Sequence, residues 1–236
     1  GFGVDDIIGR AGDDVIRAGP GNDVALGFGG FDDIIGGGGN DTIRGGANED
    51  TLDGGRGDDS LAGEAGGDTL FGGFGDDILR GFGGMDSLIG GQGDDFLRGG
   101  RGADVIRTGT GSDDARGGGG DDVIVSEGGP ARLFGDAGVD QLLAQKGLAE
   151  LTGGAGNDLF VIGYAEFELG EDGGRTVVTD FTPGEDRIEA IGAESFADIT
   201  VEDTRPGALV TYGETTEALL QGVSADDIGA ADFIFV

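Results

Sequence analysis

Apolar side chains recur along this chain at an interval of nine residues. The series runs from Ile7 and Ile16 to Leu151 and Phe160 without an insertion, and a glycine-rich stretch separates successive members. A fixed short period is the signature of a solenoid, and one inward-facing apolar residue between two turns is typical of a short strand. The pattern therefore predicts short strands such as Thr42-Ile43-Arg44, with two nine-residue units in each flattened coil of 18 residues.

An aspartate stands two residues before each apolar position, with two exceptions. Ala131 and Ala149 take its place there. A glycine stands two residues before each of these positions in turn, and Asn48 is the one substitution. We predict that the sixteen aspartates are metal ligands: Asp5, Asp14, Asp23, Asp32, Asp41, Asp50, Asp59, Asp68, Asp77, Asp86, Asp95, Asp104, Asp113, Asp122, Asp140 and Asp158.

The glycines of these turns have a different task. Glycine adopts positive φ easily, so the backbone can curl tightly and bring carbonyl oxygens together. A carboxylate at the end of the turn completes an all-oxygen cluster, which suits a hard cation with six to eight ligands and favours Ca²⁺ over Mg²⁺. The turn glycines that we predict to shape these sites are Gly19, Gly21, Gly37, Gly39, Gly55, Gly57, Gly73, Gly75, Gly91, Gly93, Gly109, Gly111, Gly118, Gly120, Gly154 and Gly156.

The repeat resembles a known family. GGGGNDTIR (36–44), GGRGDDSLA (54–62) and GGAGNDLFV (153–161) resemble the RTX, or hemolysin-type, calcium-binding repeat with its G-G-x-G-x-D-x-U-x pattern. The resemblance covers about two thirds of the chain. It implies an all-β fold, a right-handed parallel β-roll, in which each Ca²⁺ is shared by two aspartate carboxylates and main-chain carbonyls of successive coils.

Because a coil holds two repeats, the aspartates form two rows. The first row is Asp5, Asp23, Asp41, Asp59, Asp77, Asp95 and Asp113; the second is Asp14, Asp32, Asp50, Asp68, Asp86, Asp104, Asp122, Asp140 and Asp158. Their gaps number six and eight, so the sequence predicts at most fourteen Ca²⁺. The second row replaces the leading turn glycine by residues that adopt positive φ less easily, which predicts weaker early sites: Arg10, Phe28, Glu64, Phe82 and Asp136.

The charge of the chain supports a requirement for cations. Its 236 residues include 57 Gly, 47 Asp or Glu and 14 Lys or Arg, for a formal charge of -33. Adjacent aspartates in coils ~4.8 Å apart repel by roughly 1 kcal/mol in water and about 3 to 4 at an effective dielectric of 20. The roll is therefore expected to be disordered without metal and to fold as it binds Ca²⁺.

Several classes of protein are disfavoured by composition. The acidic charge argues against nucleic acid as a partner, and no stretch is long enough for a membrane span. The chain has no Cys and no His, which removes thiolate sites, a histidine base and the H-E-x-x-H zinc motif. No G-x-S-x-G elbow is present either. We predict a non-catalytic module. Since Gly1 already belongs to the repeat and is not an initiator Met, we expect a fragment or a processed product.

The repeat ends at Val161, which predicts two domains, residues 1–161 and 162–236. Strands are predicted at 176–181, 187–191, 199–202 and 208–212, a short capped helix at 224–228, and a final strand at 232–236. Such a region caps the open sheet edge of a solenoid. TDFTPGEDRI (179–188) resembles the segment that follows the roll in serralysin-type proteases, and LLQGVSADDIGAADFIFV (219–236) resembles their C-terminal signal for a type I ABC exporter.

The resemblance implies a secreted, extracellular bacterial module that supports the export and stability of a larger protein, with an N-terminal effector domain outside this chain. The alternative is a calcium-dependent polysaccharide- or surface-binding module, as in epimerases and adhesins. A basic groove would favour that alternative, but thirteen Arg and one Lys on so acidic a chain argue against such a groove for polyanions. Arg44, Arg80, Arg98 and Arg116 recur at outward positions, where we interpret them as ordinary surface charge balance.

Overall fold

A computed structural model of the chain describes residues 3–145, 148–162, 176–190, 193, 195–205, 207–212 and 216–235. The described residues form 24 β-strands and three 3-10 helices and contain no α-helix. The strands are β1 (Asp6–Ala11), β2 (Val15–Pro20), β3 (Val24–Gly29), β4 (Asp33–Gly38), β5 (Thr42–Ala47), β6 (Thr51–Arg56), β7 (Ser60–Ala65), β8 (Thr69–Phe74), β9 (Ile78–Gly83), β10 (Ser87–Gln92), β11 (Phe96–Arg101), β12 (Val105–Thr110), β13 (Asp113–Gly119), β14 (Val123–Ser126), β15 (Ala131–Ala137), β16 (Gln141–Ala144), β17 (Ala149–Ala155), β18 (Leu159–Ile162), β19 (Thr176–Val178), β20 (Arg187–Ala190), β21 (Ile199–Asp203), β22 (Gly207–Tyr212), β23 (Thr216–Gln221) and β24 (Phe233–Phe235). The 3-10 helices are Phe196–Asp198, Ala225–Asp227 and Ala230–Asp232.

The strands of the repeat region alternate between two sheets. The odd-numbered strands β1 to β17 stack in chain order in sheet 1, and the even-numbered strands β2 to β18 stack in sheet 2. Neighbouring strands are parallel and offset by 18 residues, as in the pairs Leu70 with Leu88 and Leu79 with Leu97. The all-β class and the parallel roll of 18-residue coils are thereby confirmed.

The core lies between the two sheets and consists of the residues that recur every nine positions. Leu52, Leu61 and Leu70 are representative, since each is 0% exposed. Every coil contributes two such side chains, one from each sheet. Full burial of a leucine or isoleucine stabilises by about 1.5 to 3 kcal/mol, so the hydrophobic contribution rises with each added coil. The conformational entropy that a glycine-rich chain loses on folding opposes this contribution.

The turns between sheets have the positive φ angles that the sequence predicts. Gly37 and Gly39 have φ of 114° and 117°. The non-glycine residues at equivalent turn positions share this geometry: Arg10, Phe28, Asn48, Glu64, Phe82 and Asp136 have φ from 74° to 113°. The predicted strand length is too short. β5 runs for six residues, from Thr42 to Ala47, because the parallel ladder continues past the apolar residue into the glycines.

The C-terminal region extends both sheets and then closes one of them with a meander. β19 pairs with β17 in sheet 1 and β20 pairs with β18 in sheet 2. β23, β22 and β21 then add to sheet 1, the last two pairings being antiparallel, while β24 completes sheet 2. The predicted strands and final strand are present, β23 is additional, and the predicted helix is a single 3-10 turn after Ser224.

The division at residue 161 stays a prediction. Residues 163–175, which follow it, lie outside the described residues.

Candidate metal sites

The two rows of aspartates lie along the two edges of the roll. First-row residues precede strands of sheet 1, and second-row residues precede strands of sheet 2. Asp5 and Asp14, in the outermost coil, are half-buried. The other fourteen predicted ligands are at most 3% exposed. The structure thus brings the carboxylates of each row together in a buried ladder and keeps the two rows on opposite edges.

Each aspartate carboxylate forms one rung of the ladder, and one of its two oxygens accepts a hydrogen bond from a backbone N–H. The N–H of Asp59 donates to Oδ1 of Asp77 at 2.7 Å, and the N–H of Asp77 donates to Oδ1 of Asp95 at 2.8 Å. The same bond recurs along both rows at 2.7–3.0 Å, for example from Asp32 to Asp50. These bonds connect successive coils, and they involve only one of the two oxygens of each carboxylate.

The other oxygen, Oδ2, is buried and accepts no hydrogen bond from any described residue along most of the ladder. Gly72 shows what surrounds it. A Cβ added to Gly72 would lie 2.5 Å from Oδ2 of Asp77 and 2.5 Å from the carbonyl oxygen of Gly90 in the next coil. The two oxygens are therefore no more than 5 Å apart, near enough for one cation with Ca–O distances of 2.3–2.6 Å to contact both. We call this arrangement a cradle. It consists of the glycine five residues before the aspartate, Oδ2 of that aspartate and the facing backbone.

Twelve cradles combine a glycine at which an added Cβ would overlap Oδ2 of the aspartate with a buried Oδ2 that accepts no hydrogen bond from the described residues. They belong to Asp14, Asp32, Asp41, Asp50, Asp59, Asp68, Asp77, Asp86, Asp95, Asp104, Asp122 and Asp140. In the described part of the chain no group of three Asp or Glu side chains converges on one point. A cation here would take its remaining ligands from carbonyl oxygens and water, which together with carboxylates form a donor set that suits Ca²⁺.

Burial perturbs the acidity of the rungs. It raises the pKa of Asp59, Asp68 and Asp95 from 3.8 to about 7, although a backbone N–H donated to each carboxylate acts in the opposite direction. The charges of the rungs above and below contribute to the same rise. A buried carboxylate with an unused oxygen is costly, and a divalent cation is the partner that would relieve both the burial and the repulsion.

A comparison with protein-family models identifies the family to which this repeat belongs. The model described as RTX calcium-binding nonapeptide repeat (4 copies) matches residues 1–25, 26–61, 54–81, 62–97, 80–115, 98–133 and 116–147. The chain belongs to this family. RTX repeats bind calcium and are typical of extracellular secreted proteins. Among the described residues, no helix has the length and hydropathy to cross a membrane.

Solved structures similar to the chain were also found. The solution structure of the AlgE6R3 subunit from the Azotobacter vinelandii mannuronan C5-epimerase is 25% identical, covers 56% of this chain and 79% of that chain, and has a TM-score of 0.42. The extracellular lipase LipA from Serratia marcescens is 17% identical, covers 87% of this chain and 40% of that chain, and has a TM-score of 0.28. No curated protein matches the chain.

Four positions of this RTX roll depart from the cradle pattern. Ala18 lies beside Gly36 in the register of β2 and β4, and Thr108 lies beside Gly90 in that of β10 and β12. Each carries a Cβ where the neighbouring coil has a glycine. Ser126 and Ala144 pair with each other further along sheet 2. The aspartates expected five residues after them are Ala131 and Ala149. At that end of the first row, the glycine and the carboxylate are lost together.

The RTX ladder continues into the C-terminal region through a residue that the sequence analysis missed. Asp186 is 4% exposed, and its Oδ1 accepts the N–H of Asp158 at 2.9 Å. Its Oδ2 accepts the N–H of Thr182 at 2.8 Å. Asp232 likewise receives one N–H on each oxygen, from Gly184 and Gly229 at 2.8 Å. Unlike the rungs of the roll, each of these two carboxylates accepts a backbone N–H on both oxygens. The N–H of Asp186 donates to the carbonyl of Thr182 and not to another aspartate, so the ladder ends at Asp186.

Proposed function

We propose that this chain is a calcium-binding module that folds as it binds Ca²⁺ outside the cell. The observation that carries the proposal is the set of twelve cradles, each with a buried carboxylate oxygen that accepts no hydrogen bond from the described residues. The aspartates of the two rows would supply one charge per rung, and the carbonyl oxygens of the next coil would supply neutral ligands. Bound Ca²⁺ would neutralise the ladder and cross-link successive coils.

The charge balance supports a large number of ions. Twelve divalent cations would bring the formal charge of -33 to -9. Without them, repulsion of about 3 to 4 kcal/mol for each adjacent pair of rungs at an effective dielectric of 20 would exceed the 5 to 15 kcal/mol that usually stabilises a domain. Binding energy would then also be folding energy.

Circular dichroism in calcium and in a chelator tests this proposal, with equilibrium dialysis to count bound ions. We expect β-structure only in calcium and about twelve ions for each folded chain, one for each cradle. A chelated chain at neutral pH with full β-structure would refute the proposed coupling of folding to calcium. A folded chain that binds only one or two ions would refute the assignment of the aspartate rows.

We propose in addition that the C-terminal end addresses the chain to a type I ABC exporter. β24 is hydrogen-bonded beside β20, and Phe233 is 6% exposed, so an exporter could reach the buried part of this segment only before the chain folds. A cytosol low in calcium would keep it unfolded until export. Fusing residues 217–236 to an unrelated passenger tests this without disturbing the roll; a passenger that stays inside cells carrying the exporter would contradict the proposal.

The parent protein is proposed to be a larger secreted protein whose activity resides in an N-terminal effector domain outside this chain. RTX solenoids are structural calcium-binding modules rather than enzymes, and we propose no catalytic role for this one. The second candidate function is a polysaccharide- or surface-binding module. One observation favours it: a groove on the outer face of sheet 1 is lined by arginines that have no acidic partner among the described residues.

A further inference from the structure

A groove of about 380 Å³ crosses the outer face of sheet 1 over strands β9 and β11. Its floor is Gly99 and Gly100, and its walls are three arginines and one aromatic ring: Arg80, Arg98, Arg101 and Phe82. The groove is open because Phe82 lies in register with Gly100, which has no side chain to cover the adjacent backbone. The ring of Phe82 is 51% exposed and forms an apolar wall. The volume is at the lower end of the range for small-molecule sites.

The arginines of the groove differ from the others on the same sheet. Arg44 lies 3.9 Å from Glu64, and Arg116 lies 3.7 Å from Asp114 and stacks on the ring of Phe134. Within the described residues, no carboxylate lies within 4.0 Å of any of the groove arginines. Arg80, Arg98 and Arg116 follow one another in register on β9, β11 and β13. Of these three, only Arg116 has acidic partners among the described residues, so the charges of Arg80 and Arg98 stand side by side without one. On a chain with 47 acidic residues, ordinary surface charge balance does not explain this cluster.

We propose that the groove binds an acidic sugar, with its carboxylate or sulfate held by Arg80 and Arg98 and its ring against Phe82. Guanidinium groups bind planar oxyanions with two parallel hydrogen bonds. An exposed aromatic ring beside them selects an anion carried on a body with an apolar face, rather than a small inorganic ion. The proposal refines the second candidate function and relies on the calcium-filled roll only for the fold of sheet 1.

The groove is also coupled to the calcium ladder. The carbonyl oxygen of Gly99, in the groove floor, belongs to the cradle of Asp86, because it lies 2.7 Å from the position of a Cβ on Gly81. A cation in that cradle would place positive charge beneath the arginines, whereas an empty cradle would leave a carboxylate there. Anion binding should therefore require calcium for two reasons: calcium folds sheet 1, and its charge lies beneath the arginines of the groove.

Titrations followed by NMR, in calcium and on protein shown by circular dichroism to be folded, test the inference. The probes are methyl glucuronide for the carboxylate, glucose 6-sulfate for the sulfate, methyl glucoside as the neutral sugar, and inorganic sulfate. We expect one or both acidic sugars to bind at least about tenfold more tightly than the neutral sugar and inorganic sulfate. Equal binding of the neutral sugar would overturn the role of the arginines, and equal binding of inorganic sulfate would overturn the role of Phe82.

Two double variants supply the matched comparison. R80Q/R98Q removes the groove charges, while R44Q/R132Q removes the same number of charges from arginines of the same sheet that pair with Glu64 and Asp114. We expect the first to weaken acidic-sugar binding about tenfold or more and the second to leave it within about twofold. Equal losses in both would show a nonspecific charge effect and refute the site, as would tighter binding of a DNA oligonucleotide through the same arginines.

F82G tests the apolar wall. Because Phe82 has φ of 78°, glycine fits its backbone and the variant should fold; we expect weaker binding of the acidic sugar with binding of inorganic sulfate unchanged. An F82G variant that binds the acidic sugar as tightly as the parent would show that the ring of Phe82 is not part of the binding site. A parent chain that fails to fold in calcium would instead count against the calcium proposal, so the failures of the two proposals are distinguishable.

Discussion

Replacing Gly36 by alanine should delete one calcium site and leave its neighbours intact. A Cβ at Gly36 would overlap Oδ2 of Asp41 and lie 2.8 Å from the carbonyl oxygen of Gly54, whereas a Cβ at Gly38, two residues later on the same strand, would have nothing within 4 Å. Neither glycine has positive φ, so neither substitution forces a side chain into the left-handed region. The main difference between G36A and G38A is that the methyl group of G36A enters a cradle, where it meets Oδ2 of Asp41 and the Gly54 carbonyl oxygen.

The magnitude follows from the spacing of the rungs. Without its cation, Asp41 faces the carboxylate of Asp59 one coil away, and two charges ~4.8 Å apart at an effective dielectric of 20 repel by about 3.5 kcal/mol. For a chain of this size, 1 kcal/mol changes Tm by about 2 to 4 °C. We expect G36A to lower Tm in saturating calcium by about 7 to 14 °C, and G38A to stay within about 2 °C of the parent.

Equilibrium dialysis and thermal denaturation in calcium measure the two effects separately. G36A should bind one ion fewer than the parent, and G38A the same number. If G36A keeps both the ion count and the Tm of G38A, the glycine is not part of a metal site, and the reasoning that assigns the cradles from their glycines and carboxylates is refuted.

Three further predictions follow from the same geometry. A18G, which opens the cradle of Asp23, should raise the number of bound calcium ions by one in equilibrium dialysis; an unchanged count would contradict the closing role of the Ala18 methyl group. F28G should raise Tm in calcium, since a non-glycine residue at φ of 81° costs roughly 1 to 2 kcal/mol, and a lower Tm would show that the ring packs usefully. In chelator, the chain should gain β-structure on acidification from pH 7.5 to pH 5, because a carboxyl whose pKa is raised to about 7 in the fold, such as that of Asp95, stabilises the fold when protonated. That contribution is complete below the ordinary pKa of 3.8 and is lost as the pH rises through about 7; circular dichroism that shows less β-structure at pH 5 would refute it.

The repeat architecture was accessible from sequence because every coil is specified by the same short-range pattern. A single nine-residue period fixes the inward residue, the turn and the carboxylate, and the 18-residue register of the sheets follows from it. Leu70, Leu79 and Leu88 therefore have the same burial. Little depends on contacts distant in the chain, which are the hardest to infer from one sequence.

The C-terminal region was less accessible for the same reason. Asp186 follows Asp158 by 28 residues instead of 18, so a search at fixed period does not reach it. A local signal was nevertheless present. Gly184-Glu185-Asp186-Arg187-Ile188 repeats the order glycine, aspartate and apolar residue of the roll, and Ile188 is 0% exposed. β23, by contrast, depends on pairing with β19 and β22, which no repeat specifies.

The relative strength of the two rows depends on which glycine controls a site. The sequence analysis ranked the second row lower because residues such as Phe28 and Glu64 occupy turn positions with positive φ, at a cost of roughly 1 to 2 kcal/mol each. A side chain in a cradle does more, since it removes the space for the cation and leaves repulsion of about 3.5 kcal/mol unrelieved. Eight of the twelve open cradles belong to the second row and four to the first. The geometry thus favours the reverse order, in which the second row forms the continuous calcium ladder and the first row is closed at Ala18 and again from Thr108 onward.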